Sequence, residues 1–440
     1  MRKVSVTVAL KEEVDMRGSP YASTPKALSE LNQSRIVQYL HQHGTSSRAQ
    51  MARELNLTPA AVGKLVARLI GLGLISETGS MDSEGGRRSI GLALNADRYQ
   101  VIGVKFARSM VSIGLFDISG RLLDSEEMPP VDPDDIPGAV AEVRTRVGGR
   151  LEANPAIVAV GMAVPGPYLR ETGRIALVTS MPGWRGVDFI HEFGQAFRVP
   201  TFIEQDAQAG ALAQSLFDPR VNASSMAYFL VGEGVGLGVI DRGSLVDGSQ
   251  GAATEIGHVS IDLNGLPCEC GNRGCLECYC SAVAIHRRMC RPDMRDHFPG
   301  VEAMTHAKAC SSLFDQARSG QQVARTLVDQ IADYVGYGCV TIVNAYNPAQ
   351  IVIGDMVAGA GTRLLERVRA MVSQRALPGL REHTRILLSR LPADATLTGA
   401  AAVAASQFLE HPASMGRSTV KSTSTRRAHR LSSGKEHHDQ

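Results

Sequence analysis

The sequence predicts a winged helix-turn-helix followed by a large α/β body. Three observations carry this. Residues 29–96 hold three short helical patterns, then two strand-like runs around a glycine-rich loop. From Val101 onward, short apolar runs alternate with helical segments, the pattern of α/β lobes. Six of the eight cysteines crowd into residues 268–290, which is the spacing of a metal site and not of a disulfide framework.

Length and composition set the frame. At 440 residues and 47.0 kDa, the chain corresponds to about three structural units of roughly 150 residues each. Hydrophobic residues at 44% and charged residues at 20% exclude a disordered, collagenous or coiled-coil chain. No run approaches the roughly 18 apolar residues of a membrane span. Ser5, Thr7, Lys11, Glu12 and Glu13 interrupt the first residues, where a signal peptide would place its apolar core. A cytoplasmic protein without a membrane partner is expected. The net charge of +2 conceals two basic ends. Residues 1–90 carry 12 Lys+Arg against 8 Asp+Glu, and residues 411–440 carry 6 against 2. The middle, 91–410, carries 28 against 34 and is acidic.

After a flexible lead-in, 1–28, the N-terminal module spans 29–96. Ile36, Val37 and Leu40 share one helical face, and Gly44 ends that helix. Ser47-Arg-Ala-Gln50 has the Ser-x-x-Gln form of a capping box and opens a second helix through Leu55. Asn56-Leu57 turn the chain. Thr58 caps a third helix, and Pro59 suits its first position, where the missing N–H has no intrahelical partner anyway. Val62, Leu65, Val66 and Leu69 recur with helical period and face inward. Gly71 and Gly73 stop the helix, Leu74–Glu77 and Ile90–Leu94 read as strands, and Gly79–Gly86 form the wing loop. The outward residues Thr58, Ala60, Ala61, Gly63, Lys64 and Arg68 are the expected base-facing set. Arg87 and Arg88 at the loop would contact phosphates, which position without specifying sequence. A helical bundle that binds protein is the competing reading. The coincidence of caps, turn, periodicity and wing favours double-stranded DNA.

The body spans 97–410. Val101–Phe106 and Val111–Phe116 read as neighbouring strands turned at Ser119-Gly120, and Ile157–Val164 is a buried strand running into Pro165-Gly166-Pro167. Thr201–Ile203 delivers Glu204-Gln205-Asp206 to the mouth of a helix, Ala207–Phe217. Met226–Val231 leads into Gly232, Gly234, Gly236 and Gly238, expected to crowd one turn. Ile351–Ile353 is a later strand, after a helix ending near Asn347-Pro348. Ligands in such folds bind at the carboxyl ends of strands, where Asp206 and the glycine turns lie.

The sharpest chemical signal is Glu255-Ile-Gly-His258 followed, nine residues on, by Cys268-Glu-Cys270-Gly-Asn-Arg-Gly-Cys275-Leu-Glu277. One imidazole and three thiolates make a closed tetrahedral set suited to structural zinc, one ion per chain. Gly271 and Gly274 let the loop, 255–281, fold back, and Cys278 and Cys280 read as spare small residues. Reduced buried thiols without metal are the bland alternative. Catalytic zinc is disfavoured because four protein ligands leave no open position.

These motifs resemble the ROK family (repressors, open reading frames and kinases) over roughly residues 30–410. Besides the Glu-x-Gly-His and Cys-x-Cys-Gly-x-x-Gly-Cys-x-Glu elements, Val164-Pro-Gly-Pro167, Pro182-Gly-Trp184 and Glu204-Gln-Asp206-Ala207 fall in the family's order. The resemblance implies a bilobal fold of the ribonuclease-H/actin/hexokinase kind with sugar bound between the lobes. It implies that His258, Cys268, Cys270 and Cys275 hold zinc, and that Ser180, Gln205, Asp206, Glu255, His258 and Glu277 face the sugar. Asp206 stands where family kinases keep their general base, and its bland reading is a helix N-cap. Ser180 and Gln205 replace asparagines common in the family, and Trp184 would pack either the cleft or the core.

Three nucleotide elements depart from the kinase pattern. The first phosphate loop reads Lys105-Phe-Ala-Arg-Ser109, the second Gly232-Glu233-Gly234, and the adenosine turn Gly354-Asp355-Met356. Together with the N-terminal module they imply a non-catalytic regulator, a repressor of carbohydrate uptake or catabolism genes, with Asp206 vestigial. Its expected partners are a double-stranded DNA operator, a sugar or sugar-derivative effector, and further copies in a homodimer or homotetramer. An active sugar kinase with an appended DNA-binding domain, or a regulator controlled by a protein partner, are the alternatives. The basic tail, 411–440, lacks apolar periodicity and is expected to be disordered.

Overall fold

The computed structural model describes residues 24–81, 89–107, 110–176, 182–221, 224–391 and 395–415. Two compact units emerge, one of residues up to Tyr99 together with those from Gln407, the other Gln100–Ser406.

In the N-terminal unit, helix α1 is Pro25–His43. It starts ahead of the expected boundary at residue 29, because Thr24 accepts a hydrogen bond from the Ala27 amide and Pro25 takes the first helical position. The same Thr-Pro device opens α3. Strand β1 (Ser46–Ser47) leads into α2 (Arg48–Glu54), whose cap is Ser47 receiving the Gln50 amide. Helix α3 (Pro59–Gly71) is capped by Thr58 and buries Val62, Leu65, Val66 and Leu69. Strands β2 (Ile75–Met81) and β3 (Ser89–Leu94) form the antiparallel wing, with β1 on the free side of β3. The chain returns to this unit at its other end. Ser34 Oγ donates to the Leu409 carbonyl at 3.0 Å, and the Phe408 ring lies 5.0 Å from that of Tyr99. Residues 412–415 add a helical turn, so the first residues of the expected disordered tail are ordered.

The second unit contains two sheets of the same design. In the first, β4 (Gln100–Phe106), β5 (Val111–Asp117) and β6 (Leu122–Glu127) form an antiparallel meander. Helix α4 (Ile136–Ala153) then returns the chain to β7 (Ile157–Val164), parallel to β4. The short pair β8 (Tyr168–Leu169) and β9 (Arg174–Ile175) and helix α5 (Phe189–Phe193) precede β10 (Thr201–Gln205), parallel to β7. Helix α6 (Asp206–Phe217) follows without a break.

The second sheet repeats the scheme. Strands β11 (Met226–Val231), β12 (Val235–Asp241) and β13 (Ser244–Leu245) form its meander. Helices α7 (Glu277–Cys280), α8 (Ala282–Met289), α9 (His306–Ser319) and α10 (Gln322–Tyr346) separate it from β14 (Gln350–Gly354). Helices α11 (Thr362–Arg375) and α12 (Pro378–Arg381) lead to β15 (Arg385–Leu388), and α13 (Ala395–Glu410) closes the described chain. The strand orders are β6-β5-β4-β7-β10 and β13-β12-β11-β14-β15, each with three antiparallel strands beside two parallel ones. Of the glycines after β11, only Gly232 and Gly234 lie in the turn. Gly236 and Gly238 belong to β12, where their lack of a side chain admits α6. A Cβ at Gly238 would strike the Ala207 carbonyl.

Small residues bring helix and sheet backbones together. Ala207 and Ala211 of α6 pack with Met226 and Tyr228, while Ala209 meets Ala163, Ala400 and Val403. A Cβ at Gly161 would collide with the Ala400 carbonyl. Among the described residues no helix is long and apolar enough to cross a membrane.

Two substitutions test this packing. Gly161→Ala should destabilise by about 1–3 kcal/mol, because neither backbone can yield. Gly149→Ala, in α4 with open space around it, should stabilise by roughly 0.5–1 kcal/mol through helix propensity. Opposite shifts of the urea midpoint are expected, and equal shifts would refute the close-approach argument.

Candidate ligand cleft, metal centre and reading helix

A cleft of ≈ 160 Å³ opens at the carboxyl ends of the strands of the second unit. Lys105 reaches it from β4, Pro165 and Gly166 from the end of β7, and Gln205 and Asp206 from the junction of β10 and α6. Glu233 and Gly234 enter from the β11–β12 turn, Asp355 and Met356 follow β14, and Glu255, His258 and Glu277 complete the wall. Five of the six residues expected to face a sugar therefore share one cleft. The sixth, Ser180, lies outside the described residues, as do Arg87 and Arg88.

Hydrogen bonds fix the carboxylates. Gln205 Nε2 donates to Glu255 Oε1 at 2.9 Å, and the Val235 amide donates to Glu277 Oε2 at 2.9 Å. Asp206 is the first residue of α6, not its N-cap. Its Oδ1 accepts from the Ala207 amide at 2.7 Å while the residue still lines the cleft. Burial, then the neighbouring Asp206 carboxylate, push the Glu255 carboxyl up to about 7 against the pull of the Gln205 amide, and Glu277 adds to the rise. Repulsion among like charges and lost hydration act in the same direction here.

Strain accompanies this crowding. Thr254 and Asp355 both have positive φ, 69° and 67°. Asp355 has ψ −159°, a region otherwise left to glycine, at a cost of order 1–3 kcal/mol. Its Oδ1 accepts from the Met356 amide at 2.6 Å. A Cβ at Gly232 would meet the Asp355 carboxylate, so the second phosphate-loop position and the adenosine-turn position abut through that group. Thr254, a β-branched residue in the same half of φ space, is held by its hydroxyl donating to the Leu237 carbonyl.

One cluster near the cleft has no motif to announce it. Arg170 donates through Nη2 to Glu204 at 2.5 Å and through Nη1 to Asp247 at 2.7 Å, while its amide donates to the Gln250 carbonyl. The segment leading to Glu255 is thereby pinned to the first sheet. The partners are separated by 34 and 77 positions, beyond any local pattern. Trp184 belongs to the core and not to the cleft. It is 1% exposed, edge-on to Phe106 and stacked with Phe189.

His258, Cys268, Cys270 and Cys275 bring their ligand atoms within 4.8 Å of one another. Cys268 Sγ lies 3.8 Å from His258 Nδ1, and Cys270 Sγ lies 3.7 Å from Cys275 Sγ. Those edges match a tetrahedron with metal–sulfur bonds of about 2.3 Å. Gly271 and Gly274 take φ of 93° and 69°, the folding-back their positions require. Cys278 instead turns its thiol toward the Pro267 carbonyl, and Cys280 is buried against the Leu276 carbonyl.

In the other unit, Thr58, Ala60, Lys64 and Arg68 are exposed on α3, with Ala61 and Gly63 half-buried beside them. The inward face carries the apolar set, so the outward face is the one the helical period assigns.

Fold and sites define a two-lobed α/β protein of the ribonuclease-H/actin/hexokinase type that carries a winged helix-turn-helix. The sequence model of the ROK family matches residues 101–407, and the chain belongs to that family. It is 27% identical over 392 residues to a xylose repressor of Caldicellulosiruptor bescii, covering 88% of this chain and 98% of that one. It is also 27% identical over 375 residues to the DNA-binding transcriptional dual regulator NagC of Escherichia coli K12, covering 83% and 90%. A solved ROK family transcriptional regulator, a homologue of the E. coli MLC protein, superposes with TM-score 0.72 at 25% identity over 90% of this chain and 99% of its own. A ROK family glucokinase from Streptomyces griseus, solved with glucose and AMPPNP, gives 0.60 at 25% identity over 69% and 99%.

The raised Glu255 carboxyl makes a stability prediction. Between its ordinary value of 4.5 and about 7, the folded state holds a proton that the unfolded state releases, so stability falls as pH rises through that window. Glu255→Gln mimics the protonated form. It should match the parent near pH 5 and melt higher at pH 8. A melting-temperature difference that is the same at both pH values would contradict the assignment.

Proposed function

We propose that this protein is a DNA-binding transcriptional regulator, acting as a repressor of carbohydrate uptake or catabolism genes, whose cleft binds a sugar or sugar derivative. One observation supports it above the rest. The likeness to the regulators spans both the N-terminal unit and the body, whereas the likeness to the glucokinase covers 69% of the chain. In this reading the exposed residues of α3 face bases, with Lys64 and Arg68 as the long polar readers, and Arg87 and Arg88 on the wing contact phosphates. A homo-oligomer then places two heads on a palindromic operator. Effector binding shifts the DNA-competent population only by its differential affinity for the two states.

The body is proposed to be non-catalytic. Phosphoryl transfer depends on positioning and on stabilising charge spread over phosphate oxygens. Lys105-Phe-Ala-Arg-Ser109 stands where the family's kinases carry Asp-x-Gly-Gly-Thr, Glu233 sets a carboxylate where polyphosphate would lie, and Asp355 sets another in the adenosine turn, which favours exclusion of nucleotide. Asp206 in the cleft favours the second reading, an active sugar kinase. An ADP-release assay across hexoses and N-acetyl sugars decides between them, since turnover that disappears in Asp206→Asn establishes the kinase.

His258, Cys268, Cys270 and Cys275 are proposed to hold one structural zinc ion. When bound, zinc supplies a fixed tetrahedral cross-link. Because His258 lines the cleft and Glu255 and Glu277 flank the loop, ordering the loop also orders the sugar wall.

Two further outcomes are expected. Purified protein should contain about one zinc per chain, and Cys275→Ser should lose the metal and melt lower. Metal content well under one per chain in the parent protein would exclude the site. On an operator found by genome-wide mapping, Lys64→Ala should weaken binding and reduce the salt slope by about one counterion. An unchanged affinity and slope in gel-shift titrations would remove Lys64 from the DNA-contacting set.

A further inference from the structure

Residues 246–255 form a strap that runs from β13 to the cleft wall and ends at Glu255. Four hydrogen-bonded ties hold it to Arg170 and to the junction of β10 and α6. Arg170, just after β8, forks onto Asp247 through Nη1 and Nη2 at 2.7 and 3.2 Å. Its amide donates to the Gln250 carbonyl at 3.1 Å. Gln208 Nε2 donates to the Gly251 carbonyl at 3.4 Å, and Gln205 Nε2 holds Glu255 itself at 2.9 Å. The approach is close at the middle of the strap, where a Cβ at Gly251 would lie 2.7 Å from that of Arg170.

Arg170 is anchored in turn by Glu204, whose Oε2 accepts from Nη2 at 2.5 Å and whose side chain is buried at the end of β10. Burial pushes the Glu204 carboxyl up to about 7 against the pull of the Arg170 guanidinium. Two consecutive residues of β10 therefore grip the strap at both ends, Glu204 through Arg170 at Asp247 and Gln205 directly at Glu255. Gly248 and Gly251, at φ of 69° and 82°, give the strap wide backbone freedom, so its path is set by these ties. Among the described residues that line the cleft, neither Arg170 nor Asp247 appears.

We infer that Arg170 and Asp247 are positioning residues for the cleft ligand, acting through the strap that carries Glu255. This rests on the sugar-sensing reading above and adds to it two residues remote from the ligand. Cutting the fork populates strap conformations that withdraw Glu255, and apparent affinity falls with the fraction that remains competent.

The test uses the full-length protein. Asp247→Ala is the clean cut, because Arg170 keeps Glu204 as its partner, whereas Arg170→Ala would strand a buried carboxylate. Amide hydrogen exchange across 248–256 should rise about tenfold or more in Asp247→Ala. Glucose, xylose and N-acetylglucosamine serve as calorimetric probes. A probe that binds the parent protein should bind Asp247→Ala about fivefold or more weakly. Asp247→Glu, which keeps the charge-assisted pair, should restore affinity to within about twofold. Asp333→Ala cuts a comparable fork to Arg367 between α10 and α11; as an independent site it should leave affinity within about twofold. Unchanged exchange in Asp247→Ala overturns the tie. Unchanged affinity, a loss that Asp247→Glu does not recover, or an equal loss in Asp333→Ala overturns the positioning role and leaves the sugar-sensing reading intact. Silence of every probe toward the parent protein overturns that reading and the positioning role together.

Discussion

The segment between Ser260 and Gly274 packs Ile261 against the core and otherwise buries little apolar surface. Leu263 is 87% exposed and Leu266 45%, and two isolated bridges, Ser260 to Cys275 and Pro267 to Arg273, are its only strand-like pairing among the described residues. What the loop gathers around is the set of three sulfurs and one imidazole. The constraint reaches beyond the loop, because His258 also belongs to the cleft wall, and Glu255 and Glu277 leave the same loop at its two ends. Geometry at the His258, Cys268, Cys270 and Cys275 cluster and geometry at the cleft wall are therefore one problem. Rearrangement of that cluster acts on the cleft through His258, which belongs to both.

The two sheets explain why those groups meet at all. Each places its parallel strands so that their carboxyl ends point toward the same space, and α6 is wedged in by alanine-sized contacts that leave little room for independent motion of its first residue. Asp206 is thereby delivered at a helix start, with the Ala207 amide as a permanent partner, while Glu255 arrives on a segment tied down by Arg170. Bringing carboxylates this close is unfavourable in itself. The fold compensates with hydrogen bonds to Glu255 and Glu277 and with rigid backbone packing.

Much of this was legible in the sequence, for reasons that differ by element. The Thr58-Pro59 start, the Ser47 cap and the periodic apolar face of α3 are local features, so their spacing alone locates α3 and its outward face. The cluster of one imidazole and three thiols is likewise written within 18 positions, from His258 to Cys275. Gly236 and Gly238 misled because glycines in a row suggest a turn, whereas here they clear a path for a helix backbone that arrives from elsewhere in the chain. Helix α1 begins before its apolar periodicity does, because Thr24-Pro25 supplies the cap and first position ahead of Ile36. Trp184 was ambiguous because a lone aromatic does not reveal whether Phe106 and Phe189 surround it. The Arg170 cluster depends on pairings across the whole body, which no window of sequence contains.

Asp355 has an evolutionary consequence. The backbone there has the shape a glycine would take, yet an aspartate occupies it and pays in torsional energy. Aspartate and glycine codons differ by a single base, and the return to glycine would need no rearrangement of the main chain. The turn thus keeps a main-chain shape suited to glycine while carrying a carboxylate. A single-base change at this codon would therefore remove a carboxylate from that end of the cleft while leaving the path of the main chain as it is.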